Sequence, residues 1–181
     1  MEYISTRNTE KTFSFKDVFL KGLAPDGGLF VPKKISSYFL QELEKFRNLS
    51  YYELATKIIL KFCDDEFNEK EIRDLIESSY KNFRVNDVVT IKKLGKVNLL
   101  ELFHGPTLAF KDIAMQVIGN MYEKILKKNN LKINVVVATS GDTGAAAISA
   151  IRDRKNMKIF VLHPDNKISE VQRKFMTTVN S

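Results

Sequence analysis

Cysteine is almost absent: Cys63 is the only one among 181 residues, which excludes an intrachain disulfide, a multi-cysteine zinc site and a CxxC redox pair. Long apolar runs are missing as well. No stretch reaches the eighteen or so apolar residues of a membrane-spanning helix, and Met1 to Lys11 is polar, without the apolar core of a secretory signal. No internal repeat or low-complexity segment occurs, and the charges are spread along the chain rather than gathered in a tail. A soluble, cytoplasmic protein with no membrane partner is expected.

What is present is enough to fold. With 44% hydrophobic residues, a chain of this length buries a real core as one domain or two small ones. The formal net charge of +7 favours anionic partners by long-range attraction. Nucleic acid is not expected among them, because the basic residues fall as scattered pairs (Lys92 and Lys93, Lys127 and Lys128) rather than as a stripe interleaved with aromatics.

The first third reads as helices separated by turns. Phe15 to Leu20 is followed by a breaker-rich loop holding Gly22, Pro25, Asp26, Gly27 and Gly28. Ser36 and Ser37 precede a helix over Tyr38 to Phe46, and Ser50 precedes another with Leu54, Ile58, Ile59 and Phe62 at helical spacing. Asn68 and Glu71 form a capping box for a third, which buries Ile72, Leu75 and Ile76. From about residue 86 the pattern changes: Val88 to Leu94 and Val97 to Phe103 flank Gly95 as a hairpin. An alternation follows of helix 109–128, strand 133–139, helix 143–152, strand 157–162 and helix 168–177. Val135, Val136 and Val137 are apolar on both faces, as in a central parallel strand covered by helices. The expected class is α/β, with a helical region over 1–85 and the start of a parallel-sheet domain over 86–181. The sheet looks unfinished at Ser181, which points to a piece of a longer protein; a small sheet closed by the hairpin is the alternative.

Two motifs carry chemistry. In the first, Glu101 to Asp112 (ELFHGPTLAFKD), Gly105 and Pro106 break the strand and Thr107 is placed to cap the next helix. Lys111 then falls in the first helical turn, where the positive end of the dipole disfavours an ammonium and favours the nucleophilic amine. A solvated surface lysine is the competing reading. The second, Ala138 to Gly144 (ATSGDTG), joins an apolar strand to an alanine-rich helix. Gly141 and Gly144 permit a tight turn, and the first helical amides with the hydroxyls of Thr139, Ser140 and Thr143 suit an anion at the carboxyl end of a parallel strand. The spacing matches neither a Walker loop nor a dinucleotide fingerprint. A merely well-capped helix, with Asp142 at the positive dipole end, is the alternative.

These stretches, HGPTLAFKD and ATSGDTGAA in this order, resemble threonine synthase. So do Tyr3 to Arg7 (YISTR), Gly22 to Pro32 (GLAPDGGLFVP) and Val171 to Thr178 (VQRKFMTT). The resemblance covers essentially the whole chain. It implies a fold type II pyridoxal-phosphate (PLP) domain and the conversion of O-phospho-L-homoserine and water to L-threonine and phosphate. Lys111 occupies the Schiff-base position and would be the catalytic base. Thr139, Ser140, Gly141, Asp142, Thr143 and Gly144 match the loop that holds the substrate carboxylate beside the cofactor. Asp142 stands where many wider relatives have asparagine, and an ionised carboxylate there repels another. Arg7, closing the Ser-Thr-Arg match, is the cation named for the substrate phosphate, against a plain solvated arginine. His104 packs beside the cofactor or is satisfied by local backbone groups, and no role falls to His163.

The family is more than twice as long as this chain. In it the glycine-rich loop for the cofactor phosphate and the hydroxyl partner of the pyridine nitrogen come from later sequence, so weak or no turnover is expected of this piece alone. A noncatalytic anion- or PLP-binding module and a basic nucleotide- or nucleic-acid-binding α/β protein are the competing readings; steep salt dependence on DNA, indifferent to PLP, would mark the second.

Overall fold

The computed structural model describes residues 1–35 and 37–179, and these form two compact units, Met1–Ile76 and Glu77 onward. In the first, β1 (Tyr3–Ser5) pairs antiparallel with β2 (Phe30–Pro32), Tyr3 opposite Pro32 and Ser5 opposite Phe30. Neither strand was expected in a region read as helical. Between them α1 (Phe15–Lys21) starts at Ser14, whose hydroxyl accepts from Asp17 N, and ends at Gly22 in the left-handed region at φ 71°, where a Cβ is unfavourable. The expected helix over Tyr38 to Phe46 is α2 (Leu40–Phe46), two residues shorter; Ser36 lies outside the described residues. Ser50 and Glu53 cap each other's backbone to open α3 (Tyr51–Cys63). The box expected at Asn68 and Glu71 is present at the head of α4 (Glu69–Tyr80), with bonds of 3.0 and 2.9 Å.

Aromatic packing organises this first core. Phe15 meets Phe67 edge-on at 6.1 Å and Tyr3 at 6.3 Å, while Tyr3 donates its hydroxyl to Phe62 O at 2.5 Å. Cys63 is wholly buried, its thiol 3.2 Å from Ile59 O, and burial, then the nearby Asp65 and Asp64 carboxylates, pushes it up to about 12.

The second unit opens with the hairpin of β3 (Thr90–Leu94) and β4 (Val97–Glu101), which turns at Gly95 with φ 60°. Next come α5 (Lys111–Lys128), β5 (Ile133–Ala138), α6 (Asp142–Ile151), β6 (Met157–Leu162) and α7 (Glu170–Thr177). β5 and β6 pair in parallel, Val136 beside Phe160, as a β-α-β crossover requires. α5 and α6 pack closely at Gly119, where a Cβ would lie 2.6 Å from Ala150 O; Val117, Met121, Ile125, Ala146 and Ala150 fill the surrounding core.

One expectation is corrected here. The valine run of β5 is not covered on both faces: burial alternates along the strand, and Val136 is 65% exposed. The run is apolar on both sides, but the described elements supply a helical layer to only one of them. No described helix is long and apolar enough to cross a membrane.

Candidate active site

Lys111 is the first residue of α5 and is half-buried, with Nζ 4.7 Å from the centroid of the Phe110 ring. The turn that delivers it runs from Gly105 to Phe110, closed by Leu108 N donating to Gly105 O at 3.2 Å, with Leu108 itself at φ 64°. A leucine in the left-handed region is uncommon and is held there only by its surroundings.

Thr107 does not cap α5, contrary to expectation. The residue at the cap position, Phe110, makes no side-chain cap bond, and Thr107 instead gives both its N–H and its hydroxyl to the two carboxylate oxygens of Asp112, each at 2.7 Å. The cap position lies three residues after Thr107, so the threonine reaches a side chain of the helix rather than its free amides. Asp112 is wholly buried. Its burial raises the carboxyl above the ordinary carboxylate range, while the two bonds from Thr107 oppose that shift.

In the second motif, Thr139 N bonds Leu162 O at 2.9 Å just past the end of β5. Thr139 Oγ1 then accepts from Gly141 N at 3.2 Å and Gly144 N at 3.3 Å. Gly144 is confined by necessity, since a Cβ there would run into Thr139 Cγ2 and lie 2.6 Å from Met176 Sδ. Asp142 and Thr143 contribute amides to the first turn of α6, where N–H groups meet no intrahelical carbonyl. Ser140 and Asp142 are exposed and Thr143 is half-buried.

A cavity of about 200 Å³ brings the two motifs together: Thr107, Leu108 and Ala109 line it from the turn before Lys111, Gly141 and Asp142 from the loop, and Gln172 from α7. Gln172 was not singled out by the sequence. It caps α7 reciprocally with Ser169 and also donates Nε2 to Asp142 Oδ1 at 3.4 Å.

His104 is satisfied, but by side chains rather than backbone groups. Its Nε2 lies 3.0 Å from Thr90 Oγ1 and 3.1 Å from Glu101 Oε2. Lys92 closes the same cluster at 2.7 Å from Glu101 Oε1. Hydrogen bonds from Lys92, Thr90 and His104 hold the Glu101 carboxyl down at about 2. The sequence offered one signal for this cluster: Thr90 and Glu101 occupy opposite positions of the hairpin.

Arg7 belongs to the first unit. There Nη1 donates to Asp26 O at 3.0 Å, and Asp26 Oδ1 accepts from Ser5 Oγ and Gly28 N at 2.7 and 2.9 Å. The Tyr3 to Arg7 and Gly22 to Pro32 stretches are thus one local assembly. A separate cavity of about 330 Å³ in that unit, walled by Tyr38, Phe46, Lys57 and Lys61, contains none of the residues singled out above.

Residues 2–80 match the family described as threonine synthase N terminus. The chain is 42% identical over 180 residues to the threonine synthase of Pseudomonas aeruginosa, covering 99% of this chain and 38% of that protein. Among solved structures it is similar to PLP-bound threonine synthase from Brucella melitensis (38% identical, TM-score 0.91) and to threonine synthase from yeast (40% identical, TM-score 0.93), each match covering 98% of this chain and 38% of the other. In sequence and in fold the chain is thus similar to threonine synthases over nearly all of its residues while spanning 38% of their length, and residues 2–80 match their N terminus.

Proposed function

We propose that this chain supplies the cofactor lysine and the substrate-carboxylate loop of a threonine synthase, which converts O-phospho-L-homoserine and water to L-threonine and phosphate in the cytosol. The observation that carries the reading is the cavity joining the turn before Lys111 to Gly141 and Asp142. The donor set fits PLP: a half-buried primary amine stands at the head of one helix, and the leading amides of another lie beside hydroxyl groups. When bound, the cofactor supplies a conjugated ring that accepts carbanion charge from the substrate.

The rest falls to the protein. Lys111 would hold the cofactor through Nζ and, with its amine free, would move protons at the α and β carbons of the substrate. Ser140 and Thr143 donate their hydroxyls to the substrate carboxylate, together with the amides of the α6 first turn. Thr139 shapes that loop by holding the Gly141 and Gly144 amides. The bond from Gln172 draws charge from Asp142 and so eases its repulsion of a second carboxylate. Arg7, the cation expected for the substrate phosphate, is a residue of the first unit whose guanidinium already donates to Asp26 O.

Incubation with PLP, borohydride reduction and peptide mapping test this reading. Selective labelling of Lys111 among the lysines is expected; labelling scattered over the surface lysines would sink it. Labelling of Lys111 in a full-length protein that releases no phosphate from O-phosphohomoserine would favour the noncatalytic PLP-binding alternative.

A further inference from the structure

We infer that Asp112 is the positioning residue for Lys111: its buried carboxylate clasps the Gly105–Phe110 turn through Thr107 and thereby sets the direction in which Lys111 leaves the helix. The inference rests on the reading of Lys111 as the cofactor lysine and assigns the neighbouring acid a task of its own.

Successive side chains on an α-helix point about 100° apart. Fixing residue 112 at the first turn of α5 therefore fixes the azimuth of residue 111. Asp112 is held from three sides. Thr107 N–H and Oγ1–H bond its two oxygens at 2.7 Å each. Its own amide donates to Ala109 O at 3.0 Å. Gly105 presses against it so closely that an added Cβ would lie 2.5 Å from Oδ2. The same turn contains Leu108 at φ 64°, a conformation that reverts unless something holds it. The two-pronged grip on Thr107 spans that leucine and, together with the bond from Leu108 N to Gly105 O, holds it. Lys111, by contrast, has Nζ over the Phe110 ring, which the same turn presents.

The experiment compares the parent chain with Asp112→Ala, Asp112→Asn and Thr107→Val. The two milder variants each remove one of the paired bonds and keep the fold testable should Asp112→Ala fail to fold. Two readouts are taken at one alkaline pH. One is the share of borohydride-trapped PLP found on Lys111. The other, free of cofactor, is trace acylation by acetic anhydride, comparing Lys111 with the exposed Lys132. Asp112→Ala removes both bonds and is expected to lower the Lys111 share of PLP label by more than about tenfold, tenfold being the scale of one hydrogen bond to a charged group. It is also expected to change the acylation rate of Lys111 relative to that of Lys132, because the side chain leaves the helix in another direction. Asp112→Asn and Thr107→Val should fall between, with circular dichroism unchanged. Folded variants whose Lys111 labels and acylates as in the parent overturn the inference. If the parent fails to take PLP on Lys111, the cofactor reading fails; the acylation rates relative to Lys132 then decide the positioning role by themselves, a parent-like ratio in the folded variants refuting it and a changed one supporting it.

Discussion

At the scale of single residues, the turn before Lys111 tolerates little. Gly105→Ala places a methyl group against Asp112 Oδ2, and such overpacking costs about 1–3 kcal/mol; a urea midpoint equal to that of the parent would refute this. Glu101 makes a second prediction. Its folded-state value of about 2 lies below the ordinary 4.5, so its share of stability is present above 4.5 and is lost as pH falls through about 2. Glu101→Gln should flatten the acid limb of the stability curve in that window, as read by denaturant titrations at stepped pH. Asp112 has the opposite sign: its raised value means that its contribution is full below the ordinary carboxylate range and declines as pH rises through the folded one. The placement of Lys111 at a helix start was legible, because Gly105 and Pro106 announce a strand end. The grip of Asp112 was not, since a residue adjacent to the lysine carries no spacing signal for a bond that returns five residues upstream. Thr107 resembled a cap for the same reason: both uses require a hydroxyl in that place.

At the scale of elements, the helices were readable where periodicity and capping agree, as at Ser50 with Glu53 and Asn68 with Glu71. β1 and β2 escaped notice because three-residue strands show no period and their pairing spans twenty-four residues of intervening chain. The exposure of Val136 was hidden because a run of valines has the same appearance whether one side is covered or both. α7 carries a prediction of its own. Ser169→Ala removes the hydroxyl that accepts from Gln172 N, a loss of about 1 kcal/mol. Hydrogen exchange should accelerate through α7, which contributes Gln172 to the cavity, while α5 keeps the protection of the parent. Equal exchange in α7 before and after the substitution would show that the cap is idle.

For the molecule as a whole, the charge of +7 is a property that no single site owns. It draws phosphorylated ligands from a distance, and salt screens that attraction over a length of about 10 Å at 0.1 M. The initial rate of PLP trapping on Lys111 should therefore fall several-fold between low and high sodium chloride, whereas a rate indifferent to salt would confine recognition to contacts at the cavity. The two compact units were only coarsely legible, because a change of pattern along the chain marks composition rather than packing. Cys63, sealed in the first unit and bonded to Ile59 O, has a practical consequence for following them apart. With its thiolate suppressed until well into alkaline conditions, the sulfur stays silent toward a chromogenic disulfide reagent while that unit is closed. Colour development under native conditions then becomes a clock for the opening of one half of the chain, readable without any label on the other.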